Sequence, residues 1–211
     1  VSTMDNTTNL NISGGVNQMQ LKPDGTKIYW STANGRLYQS TLSTAWDITT
    51  AGTSSYIATS SAAGTSGQAR GFWFKSDGSE FYLFHQTSQN FDRFTMSTSW
   101  DVSTASHNGS YSRSSLGLDF GYMYAMWMNS TGTKAVINGA SGSKVYELTF
   151  STAWDWSTAS LANTYTTSET GIAEYFYMKA DEEQAFKAYS SAIYHTKYGD
   201  RPTLTLPTSV N

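Results

Sequence analysis

The chain has 211 residues with 17 Gly, 3 Pro and no Cys, so disulfide scaffolds, Cys-ligated zinc and thiol chemistry are excluded. Charged residues make up 14% against about 25% in an ordinary globular domain, and a net charge of −3 argues against electrostatic nucleic-acid binding. Aromatics at 15% exclude disorder, no apolar run is long enough to insert in a membrane, and the abundance of Ser, Thr and aromatics is a β-type composition.

Internal repetition dominates the chain and sets the order of its predicted elements. Gly14, Gly67, Gly121 and Gly171 each stand eight residues before Lys22, Lys75, Asn129 and Lys179. Between them lie predicted inner strands, polar in the first copy (Gln18 to Leu21) and apolar in the later ones (Phe72 to Phe74, Ala125 to Met128, Tyr175 to Met178). Turns follow at Asp24-Gly25 and Asp77-Gly78, where glycine supplies the positive φ of a tight reversal, with Asn129-Ser130-Thr131-Gly132 as the third copy and Asp181-Glu182-Glu183 as a degraded fourth. Second strands are expected around Ile28–Trp30, Phe81–Phe84 and Ala135–Ile137, and third strands around Leu37–Leu42, Phe91–Met96 and Val145–Phe150. The third strands run into Trp46-Asp47, Trp100-Asp101 and Trp154-Asp155, whose aspartates are spaced 54 residues apart. More polar fourth strands are expected near 54–59, 110–113 and 164–167, as suits an outer edge. No 3.6-residue apolar period persists for three turns, so almost no helix is expected.

Four-stranded units of about 53 residues, repeated four times, predict an all-β, four-bladed β-propeller of four-stranded antiparallel blades. The expected single domain spans 1–211, with repeats near 14–66, 67–120, 121–170 and 171–211. The last copy stops where its fourth strand is due, and residues 1–13 hold the position of a fourth strand, so the N-terminal segment is expected to close the ring. A ring completed by another subunit is the alternative.

The recurring residues read as structural. Trp46, Trp100 and Trp154 should pack between or beneath blades, and Asp47, Asp101 and Asp155 should bond amides of the following turn. The Trp-Asp pairs are not those of WD40 repeats, whose period is shorter and whose Gly-His element is missing here. Asp24-Gly25 and Asp77-Gly78 lack calcium-loop spacing. Ligand binding is expected where the copies differ: three residues after the repeat glycine stand Asn17, Arg70, Tyr124 and Glu174, which would ring the channel mouth, with His85 on the same rim. The bland alternative is a set of solvated rim residues that pair with each other. His85, His107 and His195 have no metal spacing, no nucleophile motif occurs, and neither cofactor nor metal nor enzymatic activity is expected.

The stretch from Asp24 to Ala51, with its Asp-Gly-Thr-Lys-Ile-Tyr and Tyr-Gln-Ser-Thr-Leu-Ser-Thr-Ala-Trp-Asp-Ile-Thr-Thr-Ala segments, resembles a repeat of β-propeller-like proteins from bacteriophages and marine bacteria. Ala45, Ser99 and Ala153 replace the usual proline, and the fourth copy lacks Trp-Asp. The resemblance implies a virion-surface protein, decorating a capsid or tail and contacting other virion proteins or a host-surface glycan in a symmetric assembly. A secreted bacterial lectin or adhesion propeller and an extracellular glycan-active hydrolase are the alternatives.

Overall fold

The structure is a computed structural model that describes residues 15–139 and 144–166 together with the backbone of three strands at 175–178, 184–189 and 192–197. Its first sheet comprises β1 (Val16–Leu21), β2 (Lys27–Thr32), β3 (Leu37–Thr41) and β4 (Ser55–Ile57). One helical turn, α1 (Thr59–Ala62), leads to the second, of β5 (Ala69–Phe74), β6 (Glu80–His85), β7 (Asn90–Met96) and β8 (Ala105–Ser112). The third holds β9 (Met123–Met128), β10 (Lys134–Gly139), β11 (Lys144–Phe150) and β12 (Ala159–Thr166). The fourth has three described strands, β13 (Tyr175–Met178), β14 (Gln184–Tyr189) and β15 (Ala192–Lys197). Every sheet is an antiparallel meander in chain order. The expected N-terminal closing strand falls outside the described residues.

The fourth strands of the second and third sheets are longer than the sequence suggested. They begin at Ala105 and Ala159, directly after a 3-10 turn, because the Trp-Asp motif folds into that turn and delivers the chain at once to the sheet edge. Asp47, Asp101 and Asp155 cap these turns, each accepting the amide of the residue two positions on (Thr49, Ser103, Ser157) and that residue's hydroxyl at 2.6 Å. Thr50, Thr104 and Thr158 then donate to the carbonyls of the same aspartates, at 2.7 to 2.8 Å.

The turn between first and second strands locks onto that motif. Trp46, Trp100 and Trp154 donate their amides to the carbonyls of Gly25, Gly78 and Gly132, each at 2.9 Å, and lay their indoles over the same glycines. All three tryptophans sit at φ of 63–67°, a left-handed conformation costly for a bulky residue. The amide bond and the glycine contact hold it there. In the third copy Thr131 replaces the turn aspartate, and Asn129 Oδ1 takes over by accepting from Thr133 N at 2.9 Å and Lys134 N at 3.1 Å.

The sheets stand side by side around their first strands, β1 beside β5, β5 beside β9 and β9 beside β13. Gln18 Nε2 on β1 donates to the Phe72 carbonyl at 2.8 Å and to the Met126 carbonyl at 3.4 Å, so one side chain reaches both the adjacent sheet and the next one round. Two apolar clusters fill the wedges between sheets. Tyr29, Leu37, Phe72, Phe74 and Val102 join the first two, and Tyr82, Phe84, Phe91, Met126 and Trp156 join the second and third.

The glycine contacts set a graded expectation. A Cβ at residue 78 would fall inside the Trp100 indole, itself wedged against Tyr29 and Phe74, so Gly78→Ala should cost about 2–4 kcal/mol in overpacking and backbone strain. Gly25→Ala meets Trp46, which is 63% exposed and can swing outward, and should cost only about 1–2 kcal/mol. Urea denaturation of the two variants measures the difference, and equal losses would refute the wedge.

Candidate functional site

The axis formed by the four first strands has two ends. At the end where these strands begin, β1, β5 and β9 each carry one extra residue relative to their partners. Asn17 is the extra residue between the Val16–Thr32 and Gln18–Ser31 pairs. One extra residue falls at Arg70 or Gly71 in β5, and Tyr124 is skipped in β9. A bulge frees a side chain from cross-strand pairing and re-aims it, so a bulge at one equivalent place in three sheets turns those side chains away from the ladder.

Two of the expected mouth residues are brought together. Asn17 Nδ2 donates to the Ala69 carbonyl at 2.7 Å, and its Oδ1 accepts from Arg70 Nη1 at 3.1 Å. The Arg70 guanidinium lies 5.7 Å from the centre of the exposed Tyr122 ring, a cation–π contact, and its Nε is shielded from solvent without a partner. Tyr124 is half-buried. Glu174 lies outside the described residues.

His85 is corrected: it is not a rim residue. It is fully buried at the end of β6, where Nδ1 donates to Asp92 Oδ2 at 2.5 Å and Nε2 lies 3.1 Å from Thr59 Oγ1. The residue pairs with Asn90 across β6–β7, and its ring turns inward because Asp92 on β7 and Thr59 on α1 offer polar partners there. Thr59 Oγ1 donates onward to the Gly35 carbonyl at 2.9 Å, tying the first sheet to the second. Thr, His and Asp thus form a chain resembling a hydrolytic triad, but all three are shut off from solvent, so the arrangement is a structural bridge. Burial opposes ionisation of Asp92, but hydrogen bonds from His85 and Ser110 and the nearby imidazoles outweigh it and hold the carboxyl below its ordinary value.

The other end of the axis, beside the Asp-Gly turns, holds a cavity of about 270 Å³ that sequence reasoning missed. Trp73 and Trp127 face it from β5 and β9, Gln20 from β1, and Trp100 and Trp154 from their loops. Gln20, Trp73 and Trp127 occupy one register position, opposite Tyr29, Tyr82 and Val136. The signal was present in the copies' alignment six residues after each repeat glycine, inside the strands expected to be inner ones. The tryptophan loops also clasp the preceding sheet. Tyr29 donates to the Trp100 carbonyl at 2.8 Å, and Tyr82 donates to that of Trp154. Burial raises both phenols well above the tyrosine range. Among the described residues no cluster of three metal-ligating side chains occurs, and no helix is long and apolar enough to cross a membrane.

No protein-family model matches the chain, and no curated protein matches its sequence. Solved structures are similar in fold. A periplasmic gluconolactonase of Pseudomonas aeruginosa aligns with a TM-score of 0.55 at 11% identity, covering 88% of this chain and 50% of its own. A Bacteroides fragilis protein named as a candidate 6-phosphogluconolactonase aligns at 0.54 and 12% identity, covering 87% and 51%. The β-propeller domain of Myceliophteria thermophila Cps50 (Swd1) aligns at 0.51 and 12%, covering 87% and 54%. The chain therefore spans about half the length of these structures, and at such identities the likeness shows the fold alone: an all-β, propeller-type array containing three four-stranded antiparallel sheets. The expectation of a protein without enzymatic activity is overturned by the same finding, since lactonase enzymes stand among the structures it resembles.

The buried bridge sets a pH dependence. A carboxyl held below its unfolded value stabilises the fold above that value, near 4, and the contribution is lost as pH falls through the lower folded value. Asp92→Asn should cost about 2–4 kcal/mol at pH 7 and flatten the acid limb of the stability curve. Thermal melts at pH 7 and pH 3 compare the two proteins, and parallel acid limbs would exclude Asp92 as a source.

Proposed function

We propose that this chain is a recognition module on the surface of a phage virion, built as a closed four-bladed propeller that presents a host-glycan site at its channel mouth. The observation that carries the reading is the repeated bulge. The same backbone device recurs at Asn17, at Arg70-Gly71 and at Tyr124, yet the side chains differ, as expected of a scaffold that keeps its frame and varies its contacts. The virion setting rests on the resemblance of the Asp24–Ala51 repeat to repeats of phage structural proteins. Mass spectrometry of purified virions should find the polypeptide at structural stoichiometry. Its recovery only from the supernatant of uninfected cells would favour a secreted lectin and sink the virion reading.

Closure of the ring is supported by the first sheet's leading face. Met19 is 66% exposed, whereas its counterparts Phe72 and Met126 are buried against the preceding sheet. Ile48 is 37% exposed where Val102 and Trp156 are buried. An apolar face that two sister sheets cover fully needs a cover of its own, and the fourth sheet is the next in the series. The Gln18 bridge to both β5 and β9 requires a narrow axis, which a small number of blades provides. Deleting residues 1–13 should lower the urea midpoint markedly and promote aggregation through an unpaired edge. An unchanged midpoint in a soluble monomer would rule out closure by that segment.

A further inference from the structure

We infer that the indole-lined cavity at the turn end of the axis is a second binding site, one that takes a single neutral hexopyranose ring. This extends the glycan reading to the opposite face of the molecule and holds independently of whether the protein belongs to a virion.

Trp73 and Trp127 come from equivalent places on neighbouring inner strands, with ring centroids 6.2 Å apart and planes 58° apart. They therefore present a bent apolar wall and not one packed stack. Trp73, Trp100 and Trp154 are only half-buried. Trp156, by contrast, is fully buried in the cluster between the second and third sheets. Keeping three partly open indoles on one cavity forgoes stabilisation that burial would supply. The polar side of the site is Gln20, whose Oε1 is shielded from solvent and has no hydrogen-bond donor. An acceptor so placed lacks one donor, and a turn of the half-exposed side chain toward the cavity would offer it to a ligand hydroxyl. Ser76 and Ser130 place further hydroxyls at the rim.

The charges nearby are already matched. Lys22 pairs with Asp24 at 2.7 Å and Lys75 with Asp77 at 3.4 Å, and Lys27 donates to the Trp100 carbonyl at 2.9 Å. The lining itself holds no charged residue. A carboxylate or phosphate ligand therefore finds no cation to meet it. A quaternary ammonium ion would suit the indoles, but it would leave Gln20 Oε1 without a donor and find no carboxylate in the lining. A pyranose has what both walls ask for, a face of C–H bonds for an indole and hydroxyl edges for the glutamine and serines. The volume lies just under the roughly 300–1,000 Å³ of sites for drug-sized ligands, which suits one ring.

Tryptophan fluorescence of the full chain, titrated with methyl β-glucopyranoside and methyl β-galactopyranoside, tests the site, with choline as the cationic control. A saturable change is expected with at least one pyranoside and none with choline. Trp73→Ala should weaken binding about tenfold or more, and Gln20→Leu about three- to tenfold, the range of one hydrogen bond. Gln20 is half-exposed and its replacement leaves the apolar clusters untouched, so this variant decides the matter should Trp73→Ala fail to fold. Arg70→Ala should bind the pyranoside unchanged, which separates this cavity from the mouth. The inference is overturned by the absence of a saturable response to either sugar, by an equal response to choline, or by Gln20→Leu binding as tightly as the unmodified chain.

Discussion

The fold depends on one contact made three times, an indole laid over the glycine of a tight turn. That contact needs a residue without Cβ beneath and a tryptophan held in a left-handed backbone above. Each is unfavourable by itself, since glycine loses chain entropy on folding and tryptophan strains at positive φ. Together they bring the end of the third strand onto the turn between the first two, and so set how far each sheet extends at this end. The tryptophan carbonyl is thereby pointed at the neighbouring sheet, where Tyr29 and Tyr82 bond it. One local device thus governs turn geometry, strand length and the spacing between sheets.

The same logic explains where the series weakens. Tyr29 and Tyr82 have Val136 as their counterpart in the third sheet, and the fourth repeat has no Trp-Asp motif. In the sequence the tyrosine and the Trp-Asp motif are thus missing at matching points of the third and fourth repeats. In the first sheet Trp46 stays exposed, with no described tyrosine bonding its carbonyl. Among the described residues, the hydrogen-bonded clasp joins the first sheet to the second and the second to the third.

Much of this was legible from spacing. The constant offsets from glycine to turn to Trp-Asp located the first three strands of the first three sheets, because strands of fixed length between fixed turns leave little freedom of register. The start of the fourth strands was not legible. Ser103-Thr104 and Ser157-Thr158 read as loop, and only the aspartate cap shows why the chain can enter the outer strand immediately. His85 was misplaced for a related reason. Position in the repeat suggested the rim, but Asp92 on the next strand and Thr59, 26 residues back in the chain, decide which way the ring turns. The indole cavity was hidden by symmetry itself, since Trp100 and Trp154, equivalent by repeat, were credited to packing alone, whereas both also line the cavity.

The replacement of the turn aspartate by Asn129 carries a broader consequence. In the first two sheets the oxygen that organises the turn comes from the third residue of the loop, in the third sheet from the first. What is preserved is an acceptor at a point in space, and the residue that supplies it is interchangeable. Copies of this unit can therefore drift apart in sequence while keeping one turn geometry. Kinship among such repeats is better traced by the positions of their oxygen atoms than by their letters.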